Sequence, residues 1–429
     1  MIATDQSREP PPDGAESVER PGGRGGHIPS RRWRLLPAGA TGDAATLLEA
    51  RAIRAFADGF VSVLLPLHLT TLGLGNAQIG LVVTATLVGS AALTLFLGLV
   101  AFRYGRRALL LRASLLMVAT GLGFAFLDGF WPLLAVALVG TINPTANDVS
   151  VFLPTEQALL SQTVTASART ALFARYSLVG ALSAAFGSLA AALPEVVAGR
   201  AAVSLDRALD GMFVLYALIG LATMTRYVRL SPAIESVRGS AMRPLGESRG
   251  IVYRLAAVFS IDSFAGGFIV QSLIALWLFE RFDLSVSTAG AIFFWSNLLA
   301  ALSQLAAPWL AARIGLINTM VFTHLPANVL VMLTPFMPSP WLAVALLLAR
   351  SALSQMDIPA RQSYVMAVVS PEERPAAASV TNVPRSLAAA GSPFLSGYLL
   401  SLTTFGWPLL IGGALKAMFQ KVRPPEEGS

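Results

Sequence analysis

The chain has 429 residues, of which 55% are hydrophobic and only 13% charged. Soluble domains carry about a quarter charged residues, so this composition suits a non-aqueous solvent. The formal charge of +7 does not indicate nucleic acid, because the basic residues are scattered between apolar segments and form no continuous stripe. There are no cysteines, which excludes disulfides, thiolate catalysis and sulfur-ligated metals. The three histidines, His27, His68 and His324, lie far apart and offer no metal-ligand spacing. Of the 31 basic residues all but two, Lys416 and Lys421, are arginine. That skew reads as genome composition rather than chemistry.

Residues 1–42 form a separate segment dominated by Pro, Gly and charge, expected to be a disordered tail. It lacks the apolar core and small-residue cleavage site of a secretory signal. A bilayer core of roughly 30 Å needs about 20 apolar residues per helix. Reading for such runs predicts about twelve, near 52–72, 78–100, 108–127, 131–160, 170–193 and 211–229, then 253–278, 286–309, 317–336, 341–368, 376–402 and 405–420. Lipid leaves backbone groups no outside partner, so the runs must be helices. Arginines set the orientation. With the tail inside, the short inside loops hold Arg103, Arg106, Arg107, Arg169, Arg313 and Arg374, and the central connection adds Arg238, Arg243 and Arg249. The outside loops hold only Arg200, Arg207 and Arg281, which places both termini in the cytoplasm.

The two halves of the chain match each other. Gly80 and Gly290, Arg103 and Arg313, and Gly105 and Gly315 all stand 210 residues apart. Further on, Pro154 and Pro359, Gln157 and Gln362, and Arg169 and Arg374 all stand 205 apart. The expected organisation is a six-helix bundle over 43–229, a cytoplasmic linker over 230–252, a second bundle over 253–420 and a cytoplasmic tail over 421–429. Parallel repeats of this kind are common in secondary transporters, with binding sites near the bilayer midplane.

The stretch "GLVAFRYGRR", Gly98 to Arg107, resembles the loop after the second helix of the major facilitator superfamily, Gly-x-x-x-Asp-Arg-x-Gly-Arg-Arg/Lys. Gly98, Arg103, Gly105, Arg106 and Arg107 stand in register, with Phe102 where the family has Asp. The resemblance covers residues 50–420. It implies an all-α membrane protein of about twelve transmembrane helices in two pseudo-symmetric six-helix bundles, usually monomeric. It also implies a charge relay at this loop that latches the cytoplasmic side, which Phe102 leaves without its carboxylate. "GSPFLSG" on helix eleven is family-like too, whereas its counterpart "GALSAAFG" on helix five lacks the proline of the antiporter signature.

Ionisable side chains within the membrane cost a few kcal/mol or more and each needs a reason. Arg54 and Asp58 stand four apart on one face of helix one, where an internal ion pair is the plain alternative to proton handling. Asp148 follows "NPTAN", where Pro144 loosens helix four, and Glu156 lies nearer its cytoplasmic end. Helix ten carries Arg350, Asp357 and Arg361 on one face. Arg350 is the candidate for contacting an anionic or polar substrate, unless Asp148 or Asp357 fixes it as a counter-ion. By the repeat Glu156 corresponds to Arg361, and a bridge between them could gate the cytoplasmic side together with Arg54 and the loop residues. Asp262 and Arg385 are lesser candidates, and His68 and His324 read as packing or interfacial residues.

No phosphate-binding loop is present, so active transport must draw on an ion gradient. The expectation is a secondary transporter in the cell membrane, not an enzyme, moving a small organic solute by alternating access without a cofactor or metal. Its partners are the solute, protons and the lipid bilayer. A buried carboxylate, Asp148 or Asp58, suits proton coupling. The resemblance leans toward an exporter. A facilitator or symporter of a small metabolite, or a non-transporting receptor or scaffold, are the alternatives.

Overall fold

The protein is described here from a computed structural model covering residues 36, 40–100, 105–145, 151–165, 168–201, 203–235, 246, 248–356, 369 and 373–419. Phe102, Arg103, Asp148, Asp357, Arg361, most of the expected N-terminal tail, the C-terminal tail and most of the central connection lie outside these residues.

The described residues of the first half fold into α1 (Gly42–Thr71), α2 (Asn76–Val100), α3 (Arg106–Phe126), α4 (Phe130–Val139), α5 (Phe152–Leu160), α6 (Arg169–Ala190), α7 (Leu193–Ala201) and α8 (Leu205–Val228). The second half continues with α9 (Arg249–Gly267), α10 (Gln271–Phe282), α11 (Val286–Ile314), α12 (Leu316–Leu333), α13 (Pro340–Leu353), α14 (Arg374–Leu402) and α15 (Trp407–Phe419). Among the described residues eight helical stretches are long and apolar enough to cross a membrane, and α4 and α13 are shorter apolar helices. Large apolar side chains face outward, with Trp131 75%, Phe126 71% and Phe322 67% exposed. Such a surface belongs in lipid, not water.

Several expected runs differ in detail. The run at 131–160 is not one helix: α4 ends at Val139 and α5 begins at Phe152. Pro144 lies between them, and the freed polar groups find partners. The Thr141 amide donates to Thr120 Oγ1 at 3.2 Å, and the Tyr216 hydroxyl donates to the Thr141 carbonyl at 3.1 Å. The run at 253–278 breaks at Phe268–Val270, where the Ser392 and Ser396 hydroxyls take the Phe264 and Phe268 carbonyls at 2.5 and 3.0 Å. The two breaks meet, since the Ser272 amide donates to the Pro144 carbonyl at 3.2 Å. The first helix also begins ten residues earlier than its apolar run. Its opening turns are amphipathic, with Glu49 paired to Arg226 at 3.2 Å.

Helix packing repeats between the halves. α1 lies against α6 and α8, and α9 lies correspondingly against α14 and α15. α2 packs on α4 as α11 packs on α13, and α3 on α8 as α12 on α15. The halves join through α2 with α14, α6 with α11, and α1 with α10. The same offsets read from the sequence govern these contacts. A Cβ added to Gly80 would lie 2.7 Å from the Pro393 carbonyl oxygen, and one added to Gly290 would lie 2.6 Å from that of Ser188. Gly80 and Gly290 differ by 210, Ser188 and Pro393 by 205. Only glycine permits backbones this close.

Both glycine contacts lie toward one face, that of the first turns of α2 and α11. That face is closed further by Asn76 Nδ2, which donates to the Leu400 carbonyl at 3.3 Å, and by Glu195 after α6. The Glu195 carboxylate accepts the Val286 and Ser287 amides at 2.7 and 2.9 Å, capping α11 from the other half. At the opposite face, Asp43 near the start of α1 holds the Ser231 amide and hydroxyl after α8, at 2.9 and 2.6 Å.

Candidate functional site

The densest polar cluster of the first half is built around Glu156, which is fully buried on α5. Arg54 Nη2 of α1 contacts Glu156 Oε2 at 2.5 Å, with 2% of the arginine side chain exposed. The Tyr176 hydroxyl of α6 donates to the same oxygen and the Tyr227 hydroxyl of α8 to Oε1. The Arg54 guanidinium lies over the Phe152 ring, 4.2 Å from its centroid, and Arg51 lies over the Tyr176 ring at 5.4 Å. A carboxylate with an arginine and two hydroxyls has most of its lone-pair sites filled, the condition for keeping a charge in a low-dielectric interior. Four helices are tied together by this one side chain. Arg361, its expected partner from the other half, lies outside the described residues. Asp58, one turn beyond Arg54, is 6% exposed and acts electrostatically on Tyr216.

Between α1, α6, α10 and α11 the described polar contacts across the halves are made by amides and hydroxyls. Gln271, the first residue of α10, donates to Ser62 Oγ of α1 at 2.9 Å and reaches Ser188 Oγ of α6 at 3.4 Å. Asn297 of α11 donates to the same Ser188 oxygen at 3.1 Å. This amide–hydroxyl seam lies next to the two helix breaks, where Pro144 and Ser272 touch. Discontinuous helices whose exposed backbone faces the interior are where membrane transporters bind solutes. A small cavity of about 60 Å³ opens beside the seam, lined by Ala181, Ala184, Asn297, Gln304 and Gln355 among others.

Arg350 is partly buried on α13, in the helical register of the buried Ala343 and Leu347. Among the described residues it has no counter-ion. In the second half Asp262, His324 and Lys416 come together from α9, α12 and α15. Arg385 Nε of α14 donates to Ser263 Oγ at 2.9 Å, beside Asp262. His68 is packed in the first half, with Nε2 2.8 Å from the Phe124 carbonyl oxygen and its ring 4.5 Å from that of Phe213.

The loop residues sit at helix ends. Gly98 is in the last turns of α2, and Gly105 immediately precedes α3. Arg107 donates to the Val228 carbonyl at the end of α8. Arg106 meets the Gln162 amide when that group is turned to donate to the Ile234 carbonyl. Sequence reasoning singled out neither Tyr176 and Tyr227 nor the seam residues, because helical periodicity does not reveal partners on distant helices. Lys416 did carry a signal, as one of only two lysines.

Repeated helical halves, paired breaks and an amide-lined seam define a multi-span secondary transporter of small solutes. A family model described as Major Facilitator Superfamily matches residues 49–244 and 255–419. The chain belongs to the major facilitator superfamily. It is 23% identical over 402 residues to the uncharacterized membrane protein YJR124C of Saccharomyces cerevisiae, covering 85% of this chain and 89% of that one. Its fold is similar to that of the nucleoside transporter NupG, with a TM-score of 0.69, 16% identity and coverage of 89% of this chain and 98% of that one. It is likewise similar to a bacterial homolog of the human lysosomal transporter Spinster in an inward-facing and occupied conformation, with a TM-score of 0.71, 15% identity and coverage of 88% and 94%. A D-xylose-proton symporter gives 0.69, 14% identity, 88% and 96%.

Proposed function

We propose that the chain carries a small organic solute with an anionic or strongly hydrogen-bonding group across the cell membrane, coupled to protons. The two repeated halves are the moving units, with both termini on the cytoplasmic side as the arginine asymmetry indicates. The observation that carries this reading is Arg350. A guanidinium at membrane depth costs a few kcal/mol and needs a partner; Arg350, half-buried on α13, would find one in an anionic or polar solute. Arg350 shares the face of α13 that carries the buried Ala343 and Leu347, which supports this role. Asp58, a buried carboxylate on α1, supports proton coupling.

The test is a thermal-shift screen of purified protein against small organic anions paired with neutral analogues. The hit is then followed in proteoliposomes with an internal pH indicator. Wild type is stabilised by the anion and not by its analogue, and uptake of that solute moves protons. Arg350→Ala abolishes the stabilisation. An anion that stabilises wild type and Arg350→Ala equally would remove Arg350 from the site.

A further inference from the structure

Three titratable side chains from three helices meet at one carboxylate oxygen in the second half. Lys416 Nζ lies 3.2 Å and His324 Nε2 3.3 Å from Asp262 Oδ1, and Nζ and Nε2 are 3.5 Å apart. Their exposures are 21% for Asp262, 12% for Lys416 and 10% for His324. Lys416 is the lysine of the described residues, in a chain whose other bases are arginine apart from Lys421. Unlike a guanidinium, an ammonium is a compact charge that can stand close to an imidazole nitrogen.

One protonation state cannot satisfy all three contacts. With a hydrogen on Nε2 the imidazole donates to Asp262 and has no lone pair there for Lys416. With the lone pair on Nε2 it accepts from Lys416, and its approach to Asp262 Oδ1 lacks a hydrogen. Imidazolium strengthens the Asp262 contact and repels the ammonium. Imidazole is also the side chain whose ordinary titration falls between about pH 5 and pH 8.

The surroundings sharpen this choice. On the helices packed against the cluster the other charged groups are Arg249 and Arg254 of α9, Arg374 and Arg385 of α14, Arg313 of α11 and Arg350 of α13. The tyrosines on those helices are Tyr253 and Tyr398. Asp262 is therefore the single carboxylate within α9 and α11 to α15. Lys416 and His324 both reach it, and the other charged side chains within these helices are arginines.

We propose that Asp262, His324 and Lys416 form a proton-binding centre of the second half, in which His324 takes the proton and thereby displaces Lys416 from Asp262. α9 leads through the break into α10, whose Gln271 holds the seam with Ser62 and Ser188, so the exchange of partners is linked to the contact between the halves. This inference rests on the alternating-access reading and adds a second proton site to it.

The natural chain has no cysteine, so Ser62→Cys provides a single thiol at the seam. Its modification by a membrane-impermeant methanethiosulfonate is measured across about pH 5 to pH 8, normalised to a small free thiol. The wild-type background gives a sigmoidal profile, which His324→Gln flattens. Asp262→Asn removes a negative neighbour and moves the midpoint to lower pH. Lys416→Met removes a positive one and moves it to higher pH. Each shift is about one unit, a tenfold change in proton affinity.

Midpoint shifts in the same direction for Asp262→Asn and Lys416→Met, as general loss of packing gives, overturn the proposal even if His324→Gln does not fold. So does a profile that does not respond to pH while Gly80→Ala, which forces α2 from α14, still raises the labelling. That second outcome leaves alternating access standing. A rate unmoved by pH and by Gly80→Ala alike rejects alternating access itself.

Discussion

A methyl group at Gly80 tests whether the contact between α2 and α14 belongs to one of two states. The added Cβ would sit 2.7 Å from the Pro393 carbonyl oxygen and 2.8 Å from Gly397 Cα, both backbone atoms that cannot swing aside. Overpacking of this kind costs about 1–3 kcal/mol. If the halves separate at this face during the cycle, the cost falls only on the state in which they touch. The equilibrium then moves toward the open state by roughly 5–150-fold. Labelling of the Ser62→Cys reporter by an impermeant thiol reagent reads the shift directly. Gly290→Ala should act in the same direction, because its Cβ would lie 2.6 Å from the Ser188 carbonyl oxygen across the other seam. Gly59→Ala is the control. Its clash, 2.1 Å from the Ala184 carbonyl oxygen, lies within one half, so it should lower stability without opening the seam. Unchanged labelling in folded Gly80→Ala and Gly290→Ala would refute the reasoning.

Other perturbations follow from the same geometry. Glu156→Ala removes a buried carboxylate partner of Arg54 and the acceptor of two tyrosines, so stability should fall by about 3–5 kcal/mol. Thermal unfolding in detergent checks this, and a melting temperature within error of wild type would contradict it. Glu195→Ala removes the cap shared by the Val286 and Ser287 amides, at a cost of about 1 kcal/mol. Because that cap joins the halves, Ser62→Cys labelling should rise about fivefold, and no rise would mean that the cap is purely local.

Much of the architecture was legible because lipid leaves a chain few options. The apolar runs follow from that constraint. The offsets of 210 and 205 reappear physically, as glycines 80 and 290 meeting carbonyls 393 and 188. Pro144 marked one helix break. The other, at Phe268–Val270, contains no proline; Gly267 beside it approaches the Ala389 carbonyl and Ser392 too closely for any side chain. A close approach to a distant helix leaves no trace in local hydropathy. The site was less readable for a related reason. Arg54 and Asp58 share a face by spacing, but spacing could not show that Arg54 also pairs with Glu156, 102 residues away. Tyrosines 20 and 71 residues from Glu156 complete it. Lys416 was hidden by its own composition, since an arginine-rich chain invites the reading that its choice of base carries no chemistry.

The central claim is that the halves part and rejoin at the face closed by α2 and α14. It is tested most directly by spin labels on Thr71→Cys and Ser401→Cys, exposed positions at the ends of α1 and α14, in the otherwise cysteine-free chain. Pulsed dipolar spectroscopy in proteoliposomes should return two distance populations, a short one matching this structure and a longer one that grows in Gly80→Ala. One short population, unaltered by Gly80→Ala, pH or solute, would contradict the account.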